Sequence, residues 1–271
     1  MTGSAEVRVR APHAADWALA HGIGSMRTHD LARLLAVPEA QVRVRLHAPM
    51  QRGEWVQPAR GLWIPVAPEY RTWGAPPGIE VVAALAAHLG IDYYVGWLSA
   101  AAIHGAAHQA PQVFQVAASR PVRNRVVGRT RFEFHARPTA RVPVVETETR
   151  SGSAAVSSIA ATMLDVASDP SLAGGIDNAA TVLVELAESG RFDVADLVGL
   201  ATAYPPSAVR RLGWVLEHFA ERRMTEQLGD LRALAITGPR TPARLDPTRD
   251  LTGALDAAWL VRINRDVEPA L

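Results

Sequence analysis

Apolar residues in the first quarter of the chain fall into two short helical repeats followed by a pair of strand-like segments. Leu31, Leu34 and Leu35 are spaced three and four apart, which places them on one face of a helix over 28–36. Thr28 reads as its N-cap, and Asp30 lies in the first turn, where a carboxylate complements the positive end of the helix dipole. Val37 and Pro38 make a turn, and Pro38 suits the first position of a second helix because its missing N–H has no intrahelical partner there. Val42 and Leu46 point toward the same core as the leucines. Gln41, Val44 and His47 face away from it, with Arg43 and Arg45 on the flanks. Pro49 is expected to end or kink this helix near Ala48. Residues 54–57 and 62–65 are rich in aromatic and branched side chains and predict two strands, joined by a turn over 58–61 with Arg60 at its tip. A helix over 14–21, stopped by Gly22 and Gly24, completes a three-helix base.

The rest of the chain predicts a second, larger domain. Pro65, Pro68, Gly74, Pro76, Pro77 and Gly78 punctuate the boundary, so the expected domains are 1–75 and 79–271. An apolar helix starts at Ile79 and is stopped by Gly90, and the stretch 93–105 reads as another helix. Alternation over 112–117 and 131–136 predicts strands, and 141–146 a third, which Pro143 confines to an edge. Helices are expected over 156–167, 178–188, 194–204, 207–219 and 225–235, with loop and strand again over 243–247 and 259–264. The fold class is α+β: a winged helix-turn-helix at the N-terminus, then a larger mixed α/β C-terminal domain with a small sheet and several helices.

Composition narrows the chemistry. The chain has 271 residues and no cysteine, which removes disulfides, thiol catalysis and cysteine zinc sites. All its basic residues besides histidine are arginine, so phosphate-loop, pyridoxal and ordinary kinase chemistry lack their lysine. No apolar run is long enough for a membrane span, and the start lacks the basic-then-apolar pattern of a signal peptide, so a cytoplasmic protein is expected. Charge is uneven: residues 1–75 carry 9 Arg against 6 acids, 76–150 carry 8 against 5, and 151–271 carry 11 against 16. Any nucleic-acid surface therefore belongs to the first half. The second helix has the composition that reading DNA requires, because glutamine pairs with adenine edges and arginine with guanine or phosphate. Gln41, Arg43, Arg45 and His47 are the expected major-groove residues, and Arg27, Thr28 and Arg60 the expected phosphate contacts. Arg120, Arg123, Arg125 and Arg129 form either a second basic surface or a solvated loop.

Catalytic patterns are incomplete. Gly22-Ile23-Gly24 lacks the third glycine and the preceding strand of a dinucleotide fingerprint. His104 and His108 have a ligand-like spacing, but Gly105 separates them and no third ligand is evident. Ser99 lacks the second glycine of a nucleophile elbow. Asp165 and Asp169 read as helix-end residues. No catalytic residue, metal or cofactor is assigned.

Longer strings of residues are similar to a known family. Arg52-Gly53-Glu54-Trp55-Val56 with Arg60-Gly61-Leu62-Trp63, then Tyr94-Val95-Gly96-Trp97-Leu98-Ser99-Ala100-Ala101 and His104-Gly105, resemble the AbiEi antitoxins of bacterial type IV toxin–antitoxin systems. So do 172–178, Val209-Arg210-Arg211-Leu212-Gly213, and the ending Arg244-Leu245-Asp246-Pro247 with Trp259, Asn264 and 267–269. Pro49 departs from the large apolar residue usual late in the second helix. The resemblance implies a repressor that binds inverted repeats in its own promoter. It also implies a C-terminal domain that neutralises a co-encoded nucleotidyltransferase-like toxin, without requiring a stable complex. Two other readings stay open at this point: a toxin-modifying enzyme housed in the larger domain, and a transcriptional regulator that senses a small ligand.

Overall fold

The computed structural model describes residues 8–106 and 113–270. The chain divides into two compact units. The first comprises Met1–Tyr94, Gln112–Thr139 and Glu146–Ala155, and the second Val95–Pro111, Ala140–Val145 and Val156–Leu271. These units are drawn differently from the 1–75 and 79–271 division, because the Pro/Gly turn at 76–78 leads into a helix that stays with the first unit.

The first unit opens with helix α1 (Ala14–Ala20), strand β1 (Met26–Arg27), helices α2 (Thr28–Leu35), α3 (Glu39–Arg45) and α4 (His47–Gln51), and the hairpin β2 (Trp55–Ala59) and β3 (Leu62–Pro65). Strand β3 lies between β1 and β2 and is antiparallel to both, with Arg27 opposite Leu62 and Trp55 opposite Pro65. The apolar spacing seen in the sequence builds the core: Leu31 and Leu34 of α2, Val42, Leu46, Trp55 and Trp63 are buried together with Ala14 and Ala18 of α1. Leu35 packs only at its edge.

Three local expectations change. The N-cap of α2 is Arg27, whose backbone N–H donates to Asp30 Oδ2 at 3.2 Å, and Thr28 is the first helical residue. The hairpin turn tightens to Arg60 and Gly61, with Gly61 at φ +87, and Pro58 lies in β2 beside a register shift between Val56 and Ala59. The break in the second helix falls at Leu46, earlier than Ala48. A continuous helix would need the Pro49 nitrogen to donate to the Arg45 carbonyl, and its ring would clash there. Starting α4 at His47 instead puts Pro49 in a first turn, where no N–H is required.

The first unit continues with α5 (Gly78–Leu89) and most of a six-stranded sheet. Its strands are β4 (Tyr93–Val95), β5 (Val113–Ala118), β6 (Arg125–Val127), β7 (Thr130–Ala136), β8 (Val144–Thr149) and β9 (Gly152–Ser157), in the order β6-β7-β5-β4-β9-β8. β5 is parallel to β7 and β4 to β9, whereas β6 and β7 are antiparallel. The stretch 93–105 is therefore not one helix. It is β4, a turn at Gly96 and Trp97 (φ +49), then α6 (Trp97–Ile103). Strand β8 lies at the sheet edge, with Pro143 just before it.

The second unit is helical. To α6 it adds α7 (Ile159–Ser168), α8 (Ile176–Glu188), α9 (Val194–Leu200), α10 (Pro206–Phe219), α11 (Arg222–Thr225) and α12 (Gly229–Ile236). Helix α10 packs against α7, α8 and α12. At Gly213 a Cβ would lie 2.0 Å from a ring carbon of buried Trp259, so only hydrogen fits there. A small sheet follows, with β12 (Val261–Ile263) between β10 (Ala243–Arg244) and β11 (Ala254–Asp256). Asn264 ties it down by accepting from the Asp246 N–H and donating to the Asp246 and Asp250 carbonyls, each at 2.9 Å. The observed class is α+β, as the sequence predicts. No described helix is long and apolar enough to cross a membrane.

Candidate nucleic-acid interface

Helix α3 buries a single residue, Val42, and leaves the rest of its surface open. Gln41, Arg43, Val44 and Arg45 are exposed, and His47 is exposed across the Leu46 break. Val44 is 74% exposed, which is unusual for a branched apolar side chain on an ordered helix. Among the described residues, neither Arg43 nor Arg45 has a hydrogen-bond or ion-pair partner, so both guanidinium forks are available.

Elements around α3 add positive charge that the sequence pattern does not reveal. The Val9 N–H donates to the Leu34 carbonyl at 2.9 Å, which lays residues 8–10 along α2. Arg8 and Arg10 then line the same surface depression as Arg45. The signal is present only as two arginines in a segment with no helical or strand periodicity, and nothing in it reveals the docking partner.

The expected phosphate contacts differ in availability. Arg27 and Arg60 are exposed, Arg60 at the hairpin tip, where its backbone carbonyl accepts from His88 Nε2 at 3.1 Å. Thr28 is turned inward. Its hydroxyl oxygen accepts from the indole N–H of buried Trp63 at 3.0 Å, and its backbone N–H donates to the Gly61 carbonyl at 3.1 Å. Thr28 thus fastens the hairpin to the start of α2. Replacing it with valine is expected to destabilise the first unit by about 1–3 kcal/mol, because a buried indole N–H loses its acceptor. Urea unfolding of the variant checks this, and an unchanged midpoint would show that the bond contributes nothing.

The four arginines at 120–129 divide in the same way. Arg125 is half-buried: it stacks over the Phe134 ring at 5.7 Å and donates to the Pro58 carbonyl at 3.3 Å, and burial lowers its pKa. Arg120 donates to the carbonyl of Leu89 at 2.5 Å, the last residue of α5, where a cation suits the helix dipole. Arg123 and Arg129 are exposed. Two of the four therefore hold β6 and α5 in place.

The other chemical candidates have structural partners. His104 Nε2 donates to the Ser157 carbonyl at 2.7 Å. Burial, aided by Arg191, keeps the imidazole below its usual pKa, with the Ser157 bond offsetting part of the shift. His108 lies outside the described residues. Asp165 is buried and its Oδ1 accepts from the Tyr204 hydroxyl at 3.1 Å. No group of three or more His, Cys, Asp or Glu positioned to hold a metal occurs among the described residues.

Residues 94–218 match the family model of the AbiEi antitoxin C-terminal domain. The matched segment starts in β4 and ends in α10, and it takes in α6 through α9. No curated protein matches the chain. Among solved structures, the chain is similar to the crystal structure of the RV2827C protein from Mycobacterium tuberculosis. Identity is 14% and the TM-score 0.67, and the similarity covers 94% of this chain and 91% of that one. At that identity the likeness is one of fold. Within the matched segment Trp97, Arg210 and Arg211 are buried, and Arg210 donates to the carbonyls of Ala235 and Thr241, each at 2.7 Å.

Proposed function

We propose that the first unit is a winged helix-turn-helix that binds duplex DNA, and that the protein is an antitoxin. It represses its own operon and neutralises a co-encoded nucleotidyltransferase-like toxin. One observation carries the DNA reading: α3 presents Gln41, Arg43, Val44, Arg45 and His47 to solvent, beside a short hairpin tipped by Arg60. In this reading α3 enters the major groove, Gln41, Arg43, Arg45 and His47 meet base edges and phosphates, and Arg27 and Arg60 contact the backbone. Arg8 and Arg10 extend the phosphate track. The match over 94–218 supports the antitoxin half. The protein acts by binding and not by catalysis, so no cofactor is assigned.

The test is a fluorescence-anisotropy titration of the protein on its own upstream DNA and on a scrambled duplex, at two salt concentrations. Tight, salt-sensitive binding to the first and much weaker binding to the second is the expected result. Equal weak binding to both would remove the repressor reading. Co-expression with the neighbouring toxin gene tests the second half, with restored growth expected.

Val44 gives this reading a finer prediction. An exposed apolar side chain on a groove-facing helix is suited to a thymine methyl group. Substituting deoxyuridine for thymine one position at a time should find a site where affinity falls about four-fold, the roughly 0.8 kcal/mol of one buried methyl. Val44→Ala should lose the same factor on the thymine duplex and nothing further on the uracil duplex. Additive losses at every position would mean that Val44 touches no methyl.

A further inference from the structure

A cavity of about 240 Å³ lies inside the first unit, behind the hairpin. Its walls are apolar: Leu19 near the end of α1, Ile23 from the following loop, Ile64 of β3, then Tyr70 and Pro76. The turn between β8 and β9 closes one side. Gly24 meets it so tightly that a Cβ there would lie 2.1 Å from Ser151 Cβ. Wall and turn are thus packed together without slack.

The polar groups at this cavity are unequally satisfied. The Arg150 guanidinium pairs with Glu69 and lies 5.6 Å from the centre of the Tyr70 ring. The Ser151 hydroxyl donates to the backbone carbonyl of Glu80 at 3.0 Å. The Glu80 side chain is half-buried against the cavity, yet its carboxylate accepts no hydrogen bond among the described residues. Burial raises its pKa, and the neighbouring Arg150 only partly reverses the shift. The Glu80 oxygens still reach solvent, so the carboxylate stays open to a donor that enters the cavity.

We propose that this cavity binds a small ammonium ligand with an apolar body, its N–H groups donating to Glu80 and its body lying against Leu19, Ile23 and Ile64. The charge count sets the sign. Among the described residues that line the cavity Arg150 is the one cation, and it is already engaged by Glu69, so an anion would have to displace Glu69. A neutral ligand would leave the Glu80 charge uncompensated. The volume limits the body to about one ring with a short arm. The proposal is independent of the DNA reading.

The test is NMR on the full chain with isoleucine methyl groups labelled, titrated with benzylammonium, benzyl alcohol or benzoate. Saturable shifts of the Ile23 and Ile64 methyls with benzylammonium are expected, at least ten-fold tighter than with the alcohol and absent with benzoate. The methyls of Ile159, Ile176 and Ile236, all in the second unit, should stay still. Glu80→Gln should reduce benzylammonium affinity to that of the alcohol. Glu80→Asp, which keeps the charge but withdraws it by one methylene, should fall between, and a wild-type-like methyl spectrum in either variant shows that the unit is folded. No saturable shift with benzylammonium, equal binding of all three probes, or unchanged affinity in Glu80→Gln would overturn the proposal.

Discussion

Replacing Arg43 and Arg45 together with alanine is expected to weaken binding to the protein's upstream DNA by at least a hundred-fold at moderate salt. Both side chains are exposed and have no hydrogen-bond or ion-pair partner among the described residues, so the change removes no contact of the described fold. Each arginine that meets a base edge contributes roughly 1–3 kcal/mol of discrimination, and each that meets a phosphate adds about one unit to the salt slope. The single variants separate these roles. Where Arg43 or Arg45 meets a base edge, its removal relaxes preference at one position of the site. Where Arg8 or Arg10 meets a phosphate, its removal weakens all sequences alike and flattens the salt dependence. Arg223→Ala, an exposed change in the acidic second unit, serves as the control and should bind as the parent does. If the Arg43/Arg45 double variant binds as tightly as the parent, α3 is not the reading element.

The parts of this surface that can be read in the sequence are those set by local spacing. Leu31, Leu34, Val42 and Leu46 recur at helical intervals, so α2, α3 and their outward faces follow from neighbours within a few residues. What cannot be read depends on distant partners. Arg120 and Arg125 look like free cations until the carbonyls of Leu89 and Pro58 are placed beside them, 31 and 67 residues away in the chain. Strand β4 pairs with β9, and β9 is Gly152-Ser153-Ala154-Ala155-Val156-Ser157, mostly small residues with little strand preference. Neither strand is evident alone, and the Ala-rich run after Trp97 pulls 93–105 toward a single helix. The Pro49 break is legible in kind but not in place. A proline excludes its own N–H from the helix ladder, but whether the chain yields at Leu46 or Ala48 depends on Leu46 being held in the core.

Arg211 is expected to matter most to the stability of the second unit. It is 3% exposed, and it points into the protein although its type usually faces water. Its Nε donates to the Leu245 carbonyl at 2.9 Å and its Nη2 to the Arg244 carbonyl at 2.9 Å, while Nη1 donates to the carbonyl of Ala167 at the end of α7. One side chain of α10 thereby satisfies carbonyls on α7 and on the segment carrying β10. Burial pushes its pKa down to about 10, with Asp169 and Asp246 opposing the shift, so it stays charged at neutral pH and keeps all its donors. Arg211→Ala removes every donor at once and leaves buried carbonyls unpaired, at roughly 1–3 kcal/mol each in principle. The partial collapse of the site reduces that sum to roughly 3–5 kcal/mol, a large share of the roughly 5–15 kcal/mol of a whole domain. Arg211→Lys should recover only part of it, because a single ammonium cannot span carbonyls on two segments as the planar fork does. Arg211→Met keeps most of the volume but none of the donors. It should therefore behave like alanine if hydrogen bonding dominates, and like the parent if packing does. Urea unfolding followed through the fluorescence of buried Trp214 and Trp259, both in this unit, gives the order of the four proteins. A midpoint for Arg211→Ala equal to the parent's would mean that those carbonyls find water or other donors, and that the arginine pair of α10 is not what joins α7 to the β10 segment.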